Sequence, residues 1–149
     1  MSAIRESIEI SRSPAEVYSY VTDPTHLPEW QDSAVSARPL DDAPLHVGSR
    51  VSVTRRMGKR EFPMTMEVME LDPPRSWHIH GVDGPVRGDV RGTIEPLDDG
   101  TRSRVTLALD FEGHGIGRAL VPLMVKPYVR KEMPKSEEKL KHLLEHSAA

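Results

Sequence analysis

The sequence predicts an α+β chain, with antiparallel strands in the middle and helices confined to the two ends. Three observations carry this. The stretch SPAE near the start has helix-start chemistry, the segments from SRVSVTRR to RVTLALDFE alternate with period two, and GIGRALVPLMVKPYVRKEMPKSEEKLKHLLE reads as one long final helix. Strands joined by short turns, without intervening helices, do not make a parallel sheet. At 149 residues the chain is expected to form a single domain, residues 1–149, with no internal repeat, low-complexity tract or linker.

The elements follow in order. Ile4, Ile8 and Ile10 lie in a first strand, with Glu9 and Ser11 facing the other way. Ser13 can cap a helix, Pro14 suits its first position, and Glu16 can reach back to the cap nitrogen. That helix runs through Val17, Tyr18 and Val21 and is stopped by Asp23-Pro24; a second short helix, THLPEW, ends near Trp30. Then strands begin. Val51 and Val53 alternate with Ser52 and Thr54, and MGKR is a tight turn in which Gly58 can take a positive φ. Phe62, Met64, Met66 and Val68 share one face, as do Trp77, Ile79 and Gly81, and Val86, Val90 and Ile94. LDDGT is an Asp-Gly hairpin turn, after which Val105, Leu107, Leu109 and Phe111 point together.

Composition narrows the function. With 37% hydrophobic and 29% charged residues the composition is that of an ordinary soluble globular protein, and its formal charge of -3 gives no electrostatic reason to expect nucleic acid. No apolar run approaches the roughly 18 residues of a membrane span, and MSAIRESIEI is too polar for a signal peptide. Without cysteine there is no disulfide or thiol chemistry. A cytoplasmic location is the default expectation.

The order strand, SPAEVYSYVTDPTHLPEW, long sheet, VMELDPPRSWHIHG, GTIEPLDDGTRSRVTL and a final helix ending LKHLLE resembles the polyketide cyclase/dehydrase-like branch of the START-like (SRPBCC) superfamily, over nearly the whole chain. The resemblance implies a helix-grip fold: a curved antiparallel sheet of six to seven strands around a long, kinked C-terminal helix, two short helices after the first strand, and a ligand cavity between sheet and helix. Members include aromatase/cyclases, carriers of lipids and hormones, coenzyme-Q-binding proteins and chaperone-ATPase activators, so the fold by itself does not select among these activities.

The inward face is therefore the candidate site. Val51, Val53, Phe62, Met64, Met66, Trp77, Ile79, Val90, Leu107, Leu109 and Phe111 form either a solid core or the wall of an apolar pocket. Gly88 and Gly92 are in phase with Val90 and remove volume from that face, and the two methionines suit an adaptable wall. Trp30 matches a position where the family often has an aromatic beside the cavity; its alternative role is a staple between the short helices and the sheet. Arg55 continues the phase of Val51 and Val53, so it reaches the cavity mouth, where it can meet an anionic or carbonyl group. From the final helix, Leu120, Met124 and Tyr128 join this set.

Other motifs carry less. Gly113, Gly115 and Gly117 follow a strand and precede a helix, but their spacing is not that of a phosphate loop and no parallel strand follows, so a hinge is the better reading. His78 and His80 share a strand face opposite Trp77 and Ile79 with no further ligand pair, so no metal site is expected. Arg87, Asp89, Arg91, Arg102 and Arg104 are spaced for charge pairs on the outer face, and Arg56, Lys59 and Arg60 surround a turn. No nucleophile elbow or paired catalytic carboxylate stands out, so catalytic residues are unassigned; Arg55, Tyr128 and the indole nitrogens of Trp30 and Trp77 are the available polar groups.

The final helix carries Pro122, Pro127 and Pro134, and an interior proline costs roughly 3 kcal/mol or more. Val121, Val125, Val129, Met133, Ser136, Leu140, Leu143 and Leu144 form a stripe that grips the sheet, while Glu137, Glu138, Lys139 and Lys141 are expected in water. The first half is apolar on nearly every side, as a gate or a subunit contact would be, with a bend at Pro127 and Pro134. The leading reading is a binder, carrier or sensor of an apolar or amphipathic small molecule (lipid, quinone or polyketide-like), without cofactor, as monomer or homodimer. A polyketide cyclase/dehydratase is the alternative, and a protein-interaction module the second.

Overall fold

A computed structural model describes residues 4–146, so the outermost residues of the expected 1–149 domain lie outside it. Seven strands form one antiparallel sheet in the order β1-β7-β6-β5-β4-β3-β2. They are β1 (Ile4–Ile10), β2 (Ala34–Pro39), β3 (Arg50–Met57), β4 (Arg60–Asp72), β5 (Ser76–Gly81), β6 (Val86–Leu97) and β7 (Arg102–Gly113). Between β1 and β2 lie α1 (Pro14–Val21), a 3-10 turn at Pro24–His26 and α2 (Leu27–Trp30). The chain ends in a long helix: α3 (Gly117–Leu120), a π-helical turn (Val121–Val125) and α4 (Lys126–Glu145). This is the helix-grip arrangement that the order of elements implies.

The local chemistry acts as the residues dictate. The Ser13 hydroxyl accepts from the Glu16 N–H and the Glu16 carboxylate accepts from the Ser13 N–H, a complete capping box. The seventh strand, β2, has no clean alternation to announce it. It is an edge strand, mostly exposed, with Val35 pointing to solvent, so burial never imposed a period on its sequence. On the outer face the side chains pair across strands: Arg102 and Arg104 both reach the Glu9 carboxylate, at 3.0 and 3.2 Å. His78 Nε2 and His80 Nδ1 lie 2.6 and 2.9 Å from Asp89 Oδ1, so the two rings share one carboxylate on this face.

The core gathers where the second half of α4 crosses β1 and β7. Ile10, Val17, Val105 and Leu140 are fully or almost fully buried there, with Met133 and Leu144 beside them. Each such side chain contributes roughly 1.5–3 kcal/mol by leaving water. Polar ties fasten the helix end: Arg12 Nε donates to the Leu144 carbonyl at 2.7 Å, Lys141 Nζ to the Glu9 carbonyl at 2.7 Å, and the Ser11 N–H to Glu145 at 2.8 Å.

Two findings revise the reading of the helix. First, its irregularity is a wide turn ahead of Pro127, where the Lys126 N–H donates to the Val121 carbonyl five residues back. In a regular turn the Pro127 ring would press on the carbonyl of Leu123; widening the preceding turn relieves that contact. Pro134, by contrast, lies inside the continuous helix α4. Second, Glu137 is not in water. It is 2% exposed, lies on the face turned to the sheet and leaves Oε2 without a hydrogen-bond partner among the described residues. Burial, reinforced by the carboxylate of Glu6 on β1, pushes its pKa up to about 8, so near neutral pH it is largely protonated.

Replacing Pro134 with alanine restores one backbone hydrogen bond on an exposed helix face. We expect a gain of about 2 kcal/mol in chemical denaturation, after the roughly 0.4–1 kcal/mol by which proline restricts the unfolded chain is offset. Pro127→Ala should gain less, because the wide turn already accommodates that ring. The raised pKa of Glu137 makes its stability contribution complete below the unfolded-state value of 4.5 and progressively lost as pH climbs through about 8. Thermal melts of Glu137→Gln should therefore match the parent in mild acid and pull ahead of it in mild alkali. A constant difference across pH would contradict the buried acid.

Candidate functional site

The concave face of the sheet and the final helix do not close on one another everywhere. Between them lies a cavity of about 100 Å³, several times the roughly 10–15 Å³ that one water requires. Its walls come from β3, β4, β6 and β7 on one side, from the π turn and first half of α4 on the other, and from the segment after α2 at the rim.

Of the residues singled out from sequence, Trp30, Arg55, Met64, Met66, Val90, Leu107, Leu109, Phe111 and Tyr128 line this cavity. Phe62, Leu120 and Met124 line a smaller adjoining void of about 20 Å³, which shares Met64, Val86 and Val125 with the first. Val53, Trp77 and Ile79 line a third, of about 70 Å³, which lies towards α1 and shares Met66. The side chains that separate the three spaces thus include both methionines, the most easily repacked residues of the wall.

The two glycines behave differently. A Cβ on Gly92 would enter the indole ring of Trp77, so the space that this glycine leaves is filled by that ring, which also meets Tyr18 edge-on at 5.8 Å. A Cβ on Gly88 would stand 3.5 Å from the Phe111 ring, an ordinary contact, and Gly88 faces the open cavity. Gly88 alone therefore enlarges the main space.

Polar groups cluster at the rim. Arg55 Nη1 donates to Gln31 Oε1 at 2.7 Å and to Ser33 Oγ at 3.0 Å, both neutral acceptors. Among the described residues no carboxylate lies within ion-pair distance of Arg55, and desolvation lowers its pKa to about 10, so it stays cationic at neutral pH. Trp30 is 3% exposed and its Nε1–H has no acceptor among the described residues. Tyr128 completes the group. Burial, with the carboxylates of Glu132 and Asp32 adding and Arg55 opposing, raises its pKa, so its hydroxyl remains a donor. The rim thus gathers the Arg55 cation and the Tyr128 hydroxyl, with the Trp30 indole N–H sealed from water beside them.

Sequence reasoning did not place Gln31, Ser33, Val86, Val125, Val129, Glu132, Met133 or Ser136 in the site. A signal existed for two of them: Val86 shares the phase of Val90, and Ser136 is the single polar break in the apolar stripe of the helix. Gln31 and Ser33 lie on a loop, where no periodicity assigns a face.

An antiparallel sheet closed over a long helix with a cavity between them defines a ligand-binding type of fold. The sequence matches the family "Polyketide cyclase / dehydrase and lipid transport" over residues 1–145, and the chain belongs to that family. Solved structures share the fold. The protein TTHA0849 from Thermus thermophilus superposes with a TM-score of 0.79 at 17% identity, covering 99% of both chains. Zhui aromatase/cyclase from Streptomyces sp. R1128 gives 0.80 at 13% identity, covering 96% of this chain and 93% of its own. A START superfamily protein from Mycobacterium smegmatis gives 0.71 at 18%, covering 97% and 95%. No curated protein matches the sequence significantly. Identities this low speak to the fold alone.

The contrast between the glycines is testable. Gly92→Ala should lose about 1–3 kcal/mol, because a Cβ forces the Trp77 ring to move. Gly88→Ala should be neutral or gain up to about 1 kcal/mol from the stiffer chain. Equal losses in urea denaturation would show that both sites are packed solid.

Proposed function

We propose that this protein binds an apolar or amphipathic small molecule carrying a carbonyl or carboxylate oxygen, in the cavity between the sheet and the C-terminal helix. One observation carries the reading: a desolvated cation without a carboxylate partner, beside a buried indole N–H without an acceptor, at the rim of an apolar space. Taking such groups out of water is costly unless something hydrogen-bonds to them. A ligand oxygen can pair with the guanidinium while its apolar body displaces water from the methionine-lined wall, and it reaches the indole N–H once the Trp30 ring shifts. The candidate contacts are those named from sequence, with Arg55 and Trp30 as the polar anchors, and Gln31 and Ser33 orienting the guanidinium. A carrier or sensor acting as one domain in the cytoplasm, as monomer or homodimer, is the form we favour.

A second reading has its own support. Zhui, an aromatase/cyclase, shares the fold, and Arg55, Tyr128 and Glu132 of this chain face one cavity. In a cyclase, Arg55 would stabilise the enolate oxygen formed when a proton leaves the carbon beside a ketone, and Glu132 is the carboxylate placed to accept that proton. The Glu132 carboxylate lies 3.8 Å from Lys135 Nζ.

Native mass spectrometry and thermal shift against lipids, quinones and polyketide-like aromatics decide between an occupied and an unused cavity. Arg55→Met should raise the melting temperature of the free protein, because a desolvated charge is removed. It should also weaken ligands that bear a carbonyl or carboxylate by roughly 10- to 100-fold, the worth of one charge-assisted hydrogen bond. Equal loss for purely hydrocarbon ligands would rule out Arg55 as the anchor. Turnover of an oligo-ketide that vanishes in Glu132→Gln would favour the cyclase.

A further inference from the structure

The first part of the C-terminal helix leaves its outer side uncovered. Ile116 is 67% and Leu123 79% exposed, the largest exposures among the big apolar side chains, and Pro122 and Pro127 are exposed beside them. Sequence reasoning expected this side to be covered because it is apolar; among the described residues nothing covers it. Its charge pattern is equally one-sided. From Gly113 to Lys131 there is no acidic residue, whereas Arg118, Arg130 and Lys131 are exposed cations.

The turn between β3 and β4 adds to this end of the molecule. Phe62, just past that turn, lines the same small void as Leu120 and Met124, so the turn stands beside the helix with Lys59 and Arg60 exposed. Among the described residues none of these five cations has a carboxylate within ion-pair distance. Most cations elsewhere are paired with acids, among them Arg50, Arg102, Arg104, Lys139 and Lys141, while Arg5 on β1 and Arg38 on β2 are not. Carboxylates on the adjoining segments have other partners: Glu61 with Arg56, Glu112 with His114, Glu132 with Lys135 and Asp83 with the Thr65 N–H. In a chain of net charge -3, five of the exposed cations without an ion pair thus lie around its most exposed apolar side chains, with Arg5 and Arg38 the others among the described residues.

We propose that this patch is a docking surface for anionic phospholipid membranes, with Leu123 and Ile116 entering the boundary between headgroups and acyl chains. Cations around an apolar tip suit that boundary, where acidic headgroups meet the guanidinium and ammonium groups while hydrocarbon receives the apolar side chains. The alternatives fit less well. A symmetric dimer through this patch would set Arg118 and Arg130 against the same cations of the second copy. A stable protein interface buries about 800 Å² on each partner, far more than two protruding side chains supply. The void lined by Phe62, Leu120 and Met124 opens beside the patch, and the wide turn at Val121–Val125 lies within it, so docking would bring lipid against the part of the helix that borders the cavities. The proposal does not depend on what the main cavity holds.

Co-sedimentation of the full chain with phosphatidylcholine vesicles, with and without phosphatidylserine, tests it. Binding should appear with phosphatidylserine and fall as salt is raised. Leu123→Glu should weaken it about tenfold or more with an unchanged melting temperature, since that side chain is already in water. Arg118→Glu should weaken it and flatten the salt dependence, whereas Lys139→Glu, away from the patch, should not. Failure to sediment with phosphatidylserine vesicles, or equal binding by Leu123→Glu, overturns the proposal. So does a parent dimer that Leu123→Glu converts to monomer without any effect on vesicles, which would make the patch a protein interface.

Discussion

The C-terminal helix can stand off the sheet over the cavity only because it is held tightly at both of its ends. At one end Gly117 packs so closely on the Pro85 carbonyl that no side chain could be added there, and Gly113 approaches the backbone of Gly117 and Arg118 in the same way. At the other end Leu140 and Leu144 are buried with Ile10 and Val105, and Arg12, Lys141 and Glu145 tie the last turns to the segment after β1. Between these clamps the helix is a bridge. A close-packed interior normally leaves few voids larger than a water, and this one is kept open by rigid supports rather than by bulky walls. The run of glycines read as a hinge acts in the structure as a seat: close approach of backbone to backbone is what it provides.

Everything polar in the site follows from where that bridge meets the rim. Arg55 continues the inward alternation of β3, and the curvature that hides Val51 and Val53 also carries its guanidinium under Tyr128. Its satisfied donors go to neutral oxygens, which orient the group without neutralising it. In a medium of low effective dielectric such a charge polarises whatever enters more strongly than it would in water. The same site thus joins an apolar wall to a single cationic group.

Much of this was readable beforehand because it depends on period and sterics. The alternation of Val105, Leu107, Leu109 and Phe111 assigns a face whatever the sheet curvature, and the capping box at Ser13 is a local matter. What escaped depends on neighbours distant in sequence. That Gly92 serves Trp77 while Gly88 serves the cavity follows from pairing across β5 and β6, in which Trp77 lies opposite Gly92. Glu137 looks like one more charge in KSEEKLK, and its burial depends on Glu6 and β1, more than a hundred residues away. The helix stripe was legible, but with Glu137 hidden and Leu123 bare, hydrophobicity alone assigned the wrong face to each. The prolines showed where the helix would be irregular; that the irregularity is a widened turn before Pro127 is a backbone solution no side-chain pattern encodes.

The register of β1 carries a consequence for how the chain comes to be folded. Ile4 pairs with Leu109 and Ile10 with Ser103, so β1 finds its partner only after roughly two-thirds of the 149 residues have followed it. Until then β1 and α1 have no sheet to join, while β2 to β6 can assemble by successive hairpins of short loop length. Closing such a long loop costs chain entropy before any contact repays it. Completion of the sheet and docking of the last helix turns onto β1 are thus bound together as a late event of synthesis. The segment joining β1 to α1 becomes the place where the two ends of the molecule are fastened.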